Sequence, residues 1–133
     1  MIRLSYVFRV FAPLVYKGNK VDCPVCEKSF KKFLSYGSNV AHRDNVLCPY
    51  DLTLERHRLM WVYLKDKSNF FTEEKLKVMH IAPEQCFYSK FKKQKNLEYT
   101  TGDLLSPLAD IHFDLHKVPL EDNQYDVIFC NHV

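Results

Sequence analysis

Two short turns, Cys23-Pro-Val-Cys26 and Cys48-Pro-Tyr-Asp51, lie 21 residues apart and constrain this 133-residue chain more than any other feature. Two thiolates separated by two residues in a turn can face one metal ion, and a second turn of the same kind completes a tetrahedron. The candidate ligands are therefore Cys23, Cys26, Cys48 and Asp51, with zinc as the expected ion. An aspartate stands where a fourth cysteine is usual, so His42 and His57 are alternative fourth ligands, and a degenerate turn pair without metal is the competing reading. A redox pair is a weaker alternative, because that motif normally sits at a strand-to-helix junction. Five cysteines, an odd number, fit a reducing compartment better than a disulfide framework, and the cytoplasm is the expected location. Cys86 and Cys130 are expected to be buried small apolar residues.

Composition excludes several classes. Hydrophobic residues at 47% and aromatics at 14% leave ample material for a core, which argues against disorder. No run approaches the roughly 20 apolar residues of a membrane-spanning helix, so no transmembrane segment is expected. Charge is uneven: residues 1–50 hold eight Lys/Arg against three Asp/Glu, and residues 51–133 hold eleven against thirteen. That basic front is too mild for a strong nucleic-acid signature, so nucleic acid is an unlikely partner. Residues 1–20 are expected to form an amphipathic N-terminal helix ended by Pro13 and then Gly18-Asn19, with weak contact to a membrane surface as an alternative use.

Residues 21–74 follow as the cysteine knuckle and a linking helix: a loop is expected over residues 21–52, a helix over residues 52–64 with Thr53 as its N-cap, and a connector over residues 69–74. The apolar surface of that helix is expected from Leu54, Leu59, Trp61, Val62 and Tyr63. From residue 75 onward the pattern alternates. Strands are expected at 76–82, 97–101, 111–113 and 126–130, with a helix from Pro83 through the basic run near Lys95. Strand, helix, strand in this rhythm implies an α/β fold with a parallel sheet.

Ligands in such sheets sit outside the carboxyl ends of the strands. The residues there are His80, Ala82, Pro83 and Glu84 after the first strand, Asp103 after the second, Asp114 after the third, and Asn131 and His132 after the fourth. An acid about twenty residues past the first strand is where nucleotide-binding units hold a ribose. A core needs none of these polar groups, and together they favour a nucleotide-type cofactor.

The stretch from Asp114 to Val133 resembles the third-to-fourth-strand region of class I S-adenosylmethionine-dependent methyltransferases, whose pattern is D-x-x-x-(L/V)-P-(F/L)-x-D-x-x-(F/Y)-D-x-(I/V). The preceding V-M-H-I-A-P-E and T-G-D-L fall where that family has its first motif and second-strand acid, and the front half is similar to a bacterial subgroup with an N-terminal cysteine knuckle. The resemblance implies a partial Rossmann-like sheet over residues 75–133 that binds S-adenosyl-L-methionine and methylates an unknown acceptor. It implies that Asp103 holds the ribose, that Asp114 lies near the adenine, and that Asn131 and His132 line the methyl-transfer side. No glycine occurs between Gly37 and Gly102, so the resemblance implies that His80 to Glu84 take the place of the family's glycine loop around the cofactor's amino-acid end. The family's sheet has seven strands and this chain reaches the fourth, so a truncated or inactive form is expected, with self-association through the open sheet edge.

A different class of function is a zinc-knuckle binding module. In it Lys28, Lys31, Lys32 and Arg43, with Phe30, Phe33 and Tyr36, would contact nucleic acid or a protein. Within Glu55-Arg56-His57-Arg58, Glu55 and Arg58 are placed to pair on a helix, and the group reads as a structural clamp.

Overall fold

A computed structural model describes residues 11, 12 and 14–131. Most of the expected N-terminal helix lies outside the described residues, as does His132; residues 11–12 and 14–15 are helical, and Tyr16 already leads into a strand. The chain divides into two compact units, Met1–Ser68 and Asn69–Val133.

The first unit is built on two small antiparallel pairs. Strands β1 (Lys17–Cys23) and β2 (Lys28–Phe30) form one, and β3 (Leu34–Tyr36) and β4 (Arg43–Leu47) form the other. This corrects the expectation of a loop over residues 21–52. The pairs are held partly by polar cross-strand contacts, Ser29 Oγ to Asp22 Oδ1 and Ser35 Oγ to Asp44 Oδ1, both 2.6 Å. Strands of three residues are too short to display alternation, so hydrophobic patterning carries no sign of them.

Helix α1 (Glu55–Lys67) follows. Thr53 is not its N-cap; Leu54 is, and its backbone N–H donates to His57 Nδ1 at 3.0 Å. Glu55 in the first turn and Lys65 and Lys67 in the last suit the helix dipole. The helix buries His57 and Leu64, whereas Leu59, Val62 and Tyr63 are exposed, because apolar residues at nearly every position from 59 to 64 cannot share one face. Phe30, Phe33, Val46, Leu54 and Leu64 make the core of this unit.

The second unit is α/β. Strands β5 (Leu76–Ile81), β6 (Leu97–Asp103), β7 (Ile111–His112) and β8 (Val127–Cys130) form one sheet in the order β7-β6-β5-β8, with every neighbouring pair parallel. Helix α2 (Gln85–Phe91) joins β5 to β6 and stops four residues short of the expected end at Lys95. Pro83 precedes its N-cap Glu84 and so lies just outside the helix.

An aromatic cluster holds α2 to the sheet. Phe91 stacks on Phe87 at 5.1 Å and on Phe129 at 5.6 Å, and meets Phe70 edge-on at 4.9 Å. Each fully buried Phe contributes about 1.5–3 kcal/mol through its area alone. Gly102 is required by a close approach: a Cβ there would lie 2.5 Å from Phe113 Cε1. Asp126 pins β8 beside β5, its carboxylate accepting the Lys77 N–H at 2.7 Å while its own N–H donates to the Lys77 carbonyl at 2.9 Å. Cys130 is exposed and Cys86 half-buried, against expectation; on β8 the side-chain alternation turns Phe129 inward and Cys130 outward. Among the described residues no helix is long and apolar enough to cross a membrane.

Candidate functional site

The first unit brings together four groups from its two turns. The thiols of Cys23, Cys26 and Cys48 and a carboxylate oxygen of Asp51 all lie within 4.8 Å of one another. Cys26 Sγ and Cys48 Sγ are 3.8 Å apart, and Cys23 Sγ is 3.7 Å from Asp51 Oδ2. A disulfide needs about 2.05 Å. Two sulfurs at the Zn–S distance of about 2.3 Å, tetrahedrally disposed, are about 3.8 Å apart. The spacing therefore suits a shared ion better than a covalent bond.

The two turns repeat one backbone design. Glu27 N–H donates to the Cys23 carbonyl at 2.8 Å, and Leu52 N–H to the Cys48 carbonyl at 3.1 Å. Glu27 and Leu52 both take left-handed backbone, at φ 57° and 59°. Such residues cost on the order of 1–3 kcal/mol each without glycine, and a conformation held twice at that cost indicates a constrained site. Asp51 thus occupies in the second turn the place that Cys26 occupies in the first.

Thr53, fully buried, orients the aspartate. Its N–H and its hydroxyl both donate to Asp51 Oδ1, at 3.1 and 2.7 Å, so Oδ1, 3.9 Å from Cys23 Sγ, is held by Thr53, while Oδ2 lies slightly nearer that thiol at 3.7 Å. Arg58 ties these turns to α1. Its Nη1 donates to the carbonyls of Thr53 (2.7 Å) and Val46 (2.9 Å), and its guanidinium lies 4.3 Å over the Phe33 ring. Glu55 does not pair with Arg58; it takes Arg43 at 2.9 Å. Arg58 thus clamps within this unit. His57 serves the helix start and His42 pairs with Asp44 on the surface, so neither joins the cluster.

Proton sharing follows from the crowding. Thiol hydrogens donated by Cys26 and Cys48 pull Cys23 far below the ordinary thiol range. Their hydrogen bonds to Cys23 in turn raise Cys26 and Cys48 above that range. A divalent cation would relieve all three by replacing the shared protons.

The same unit removes the proposed base-stacking aromatics from use. Phe30 and Phe33 are buried, and only Tyr36 of the three is exposed. Lys28 is turned over the Tyr50 ring at 4.7 Å.

In the second unit, β5 and β8 bring a polar group to their carboxyl ends. His80, with no exposed side-chain surface, has Nδ1 2.8 Å from the Tyr99 hydroxyl and Nε2 3.4 Å from Glu84 Oε2. The second contact is within ion-pair range but too poorly aligned for a hydrogen bond, so Nε2 has none. Asn131 Nδ2 donates to the same Glu84 oxygen at 3.3 Å. Burial pushes the Tyr99 phenol well above its ordinary value.

Ala82 does the work expected of a glycine. It adopts φ 50° and donates its N–H to the Gly102 carbonyl at 2.8 Å, drawing the turn after β5 toward the end of β6. Pro83 is buried beside it. Asp103, next in β6, uses Oδ1 to accept the N–H groups of Leu105 and Ser106, both at 2.8 Å, and these amides hold its carboxyl below the ordinary range. Oδ2 is not drawn into either bond. Asp114 is exposed and closes its own turn, with Oδ1 accepting the His116 N–H at 2.9 Å and facing His116 Nδ1 at 2.7 Å.

Of the strand-end residues read from sequence, His80, Glu84 and Asn131 are linked, Ala82 and Asp103 lie at the adjoining strand end, and Asp114 stands apart in its turn. Tyr99 was missed. Pairing of Val78 with Tyr99 puts Tyr99 on the face of His80, one pair away, and a phenol on a covered face needs a partner. At the opposite, amino end of β5 and β6, a groove of about 380 Å³ runs between Phe71–Lys75 and Lys93–Asn96. Compared with known proteins, the chain matches no family model, no curated protein and no solved structure.

Proposed function

We propose that the second unit binds S-adenosyl-L-methionine at the carboxyl ends of β5, β6 and β8 and serves methyl transfer to an acceptor, with a zinc ion holding the first unit. The observation that carries this reading is the convergence of His80, Glu84 and Asn131 where β5 and β8 part. In sequence order the sheet runs third, second, first, fourth strand: the chain steps from β5 to β6 and β7 on one side and then crosses back from β7 to place β8 on the other, so the strand order reverses between β5 and β8. Such a switch point is where open α/β sheets take nucleotide ligands.

The residues fit the ligand's chemistry. Asp103 Oδ2 is available to a ribose hydroxyl, the Ala82 turn brings backbone near the ligand without glycine, and Glu84 offers negative charge to a cationic ligand. When bound, the cofactor would supply an electrophilic methyl on a sulfonium, which an acceptor nucleophile would take by direct displacement with S-adenosylhomocysteine leaving. The chain's residues bind and align, the part of catalysis worth most in such a displacement.

The zinc assignment rests on donor chemistry. Three thiols and a carboxylate oxygen within 4.8 Å of one another suit zinc, and soft sulfur ligands disfavour calcium or magnesium. A second reading, a zinc-binding module that docks on a partner, is favoured by that cluster alone. Burial of Phe30 and Phe33 weighs against nucleic acid as its partner.

The test is S-adenosylhomocysteine binding to wild type and to Asp103→Ala, with folding of both verified by circular dichroism. Saturable binding by wild type and its loss in Asp103→Ala is the expected result. Equal affinity for both chains sinks the ribose assignment.

A further inference from the structure

We infer that Thr53 makes Asp51 a one-oxygen ligand, and that this fits the cluster of the first unit to a four-coordinate ion such as zinc in preference to the larger cadmium ion. The inference rests on the zinc reading and adds to it the residue that sets which ion the site prefers.

Thr53 spends every polar group it has on the cluster and its frame. Its N–H and hydroxyl donate to Asp51 Oδ1 at 3.1 and 2.7 Å, and the same hydroxyl oxygen lies 3.4 Å from Cys23 Sγ. Its carbonyl accepts the Cys48 N–H at 2.9 Å and Arg58 Nη1 at 2.7 Å. One residue with no exposed surface thus touches Cys23 of the first turn and both Cys48 and Asp51 of the second. Donors fixed from so many sides have little freedom to turn away when an ion arrives.

The consequence is a count of lone pairs. A carboxylate has about four acceptor sites, two on each oxygen, and Thr53 fills both on Oδ1. Oδ2 is approached by the Cys23 thiol at 3.7 Å, a weak donor whose hydrogen a bound ion would displace. An incoming ion therefore meets three sulfurs and one open oxygen, the coordination number that zinc takes in structural sites. Cadmium shares zinc's charge and its affinity for thiolates, but it is larger and commonly takes a carboxylate through both oxygens. Using Oδ1 as well would break the hydroxyl bond at 2.7 Å, a charge-assisted contact of the strong kind. Thr53 is a positioning residue, since it acts on the metal through Asp51.

The zinc and cadmium affinities of the full chain, each read at one pH by competition with a chromophoric chelator, test this. Thr53→Val keeps the shape of the side chain and the backbone N–H but removes the hydroxyl, which opens one lone pair of Oδ1. It should weaken zinc about 10- to 100-fold, as loss of a supporting contact does, and cadmium much less, so that the zinc-to-cadmium affinity ratio falls about 10-fold or more. Thr53→Ser returns the hydroxyl and should restore the wild-type ratio; a serine variant with the ratio of the valine variant contradicts the role given to that hydroxyl. A ratio that stays or rises in Thr53→Val overturns the one-oxygen assignment while the zinc reading stands. A wild-type chain that binds no zinc overturns both. X-ray absorption of the zinc-loaded wild type decides the matter even where Thr53→Val does not fold. Three sulfurs at about 2.3 Å and one oxygen at about 2.0 Å are expected, and a second oxygen at that distance, or none, refutes the inference.

Discussion

Replacing Asp51 by Asn separates metal ligation from the fold of the turn that carries it. Asn retains an Oδ1 that accepts from the Thr53 N–H and hydroxyl, at 3.1 and 2.7 Å in the native turn. Its amide nitrogen takes the place of Oδ2, the oxygen 3.7 Å from Cys23 Sγ, and an amide N–H₂ cannot ligate. Loss of a mere supporting contact weakens a bound metal about 10- to 100-fold, so loss of a direct ligand is set at about 100-fold. Zinc at a thousand times its dissociation constant stabilises the folded chain by about 4.1 kcal/mol, and a 100-fold weaker site retains about 1.4 kcal/mol at the same zinc level. The difference is about 2.7 kcal/mol. For a unit the size of Met1–Ser68, at about 4–8 °C per kcal/mol, that is about 11–22 °C in Tm. Scanning calorimetry of both chains, with buffered zinc and again with chelator, measures it. The zinc-dependent rise in Tm should shrink by that amount in Asp51→Asn, while the two chains melt within a few degrees of each other in chelator. An equal zinc-dependent rise in both chains would refute Asp51 as a ligand.

Two further substitutions test the second unit. Gly102→Ala forces a Cβ to within 2.5 Å of Phe113 Cε1 and 2.8 Å of Cζ, an overpacking that should cost about 1–3 kcal/mol in denaturant unfolding. A variant as stable as wild type would show that Phe113 moves aside freely. Asp103 gives a pH dependence of known sign. Its folded carboxyl is depressed by the Leu105 and Ser106 amides, so its contribution is present above the unfolded value of about 3.9 and is lost as pH falls through the lower folded value. Urea titrations of Asp103→Asn should therefore show a small deficit against wild type at pH 6 that closes near pH 2; a deficit that grows toward acid would reverse the assignment.

How far the sequence speaks for the fold differs between the two units. Each parallel strand is a short apolar run between polar breaks, and the structure has strands at all four expected places. The alternation of strand and helix was enough to give an α/β sheet. The cluster of Cys23, Cys26, Cys48 and Asp51 was also readable, because turn spacing fixes which side chains converge. The hairpins of the first unit were not, since β2 and β3 have three residues each and their strand pairs lean on Asp22, Ser29, Ser35 and Asp44, residues that usually mark loops. Thr53 misled for a related reason. It has the chemistry of a helix cap, but Asp51 two residues earlier offers its hydroxyl a charged acceptor, and His57 satisfies the helix start instead. At the strand ends the sequence supplied candidates without their connections. His80 and Glu84 are four residues apart, but only the folded turn through Ala82, at φ 50°, brings the carboxylate back toward the imidazole. Tyr99 and Asn131 join them through sheet register, which no local pattern records.

The most direct measurement is amide chemical-shift mapping of the ¹⁵N-labelled chain during titration with S-adenosylhomocysteine. Saturable shifts at residues 80–84, 102–106 and 129–131 are expected, at the carboxyl ends of β5, β6 and β8. Shifts confined to Lys75 and Lys93–Asn96 around the groove at the amino ends, or no shifts from a folded chain, would contradict a cofactor site at the carboxyl ends.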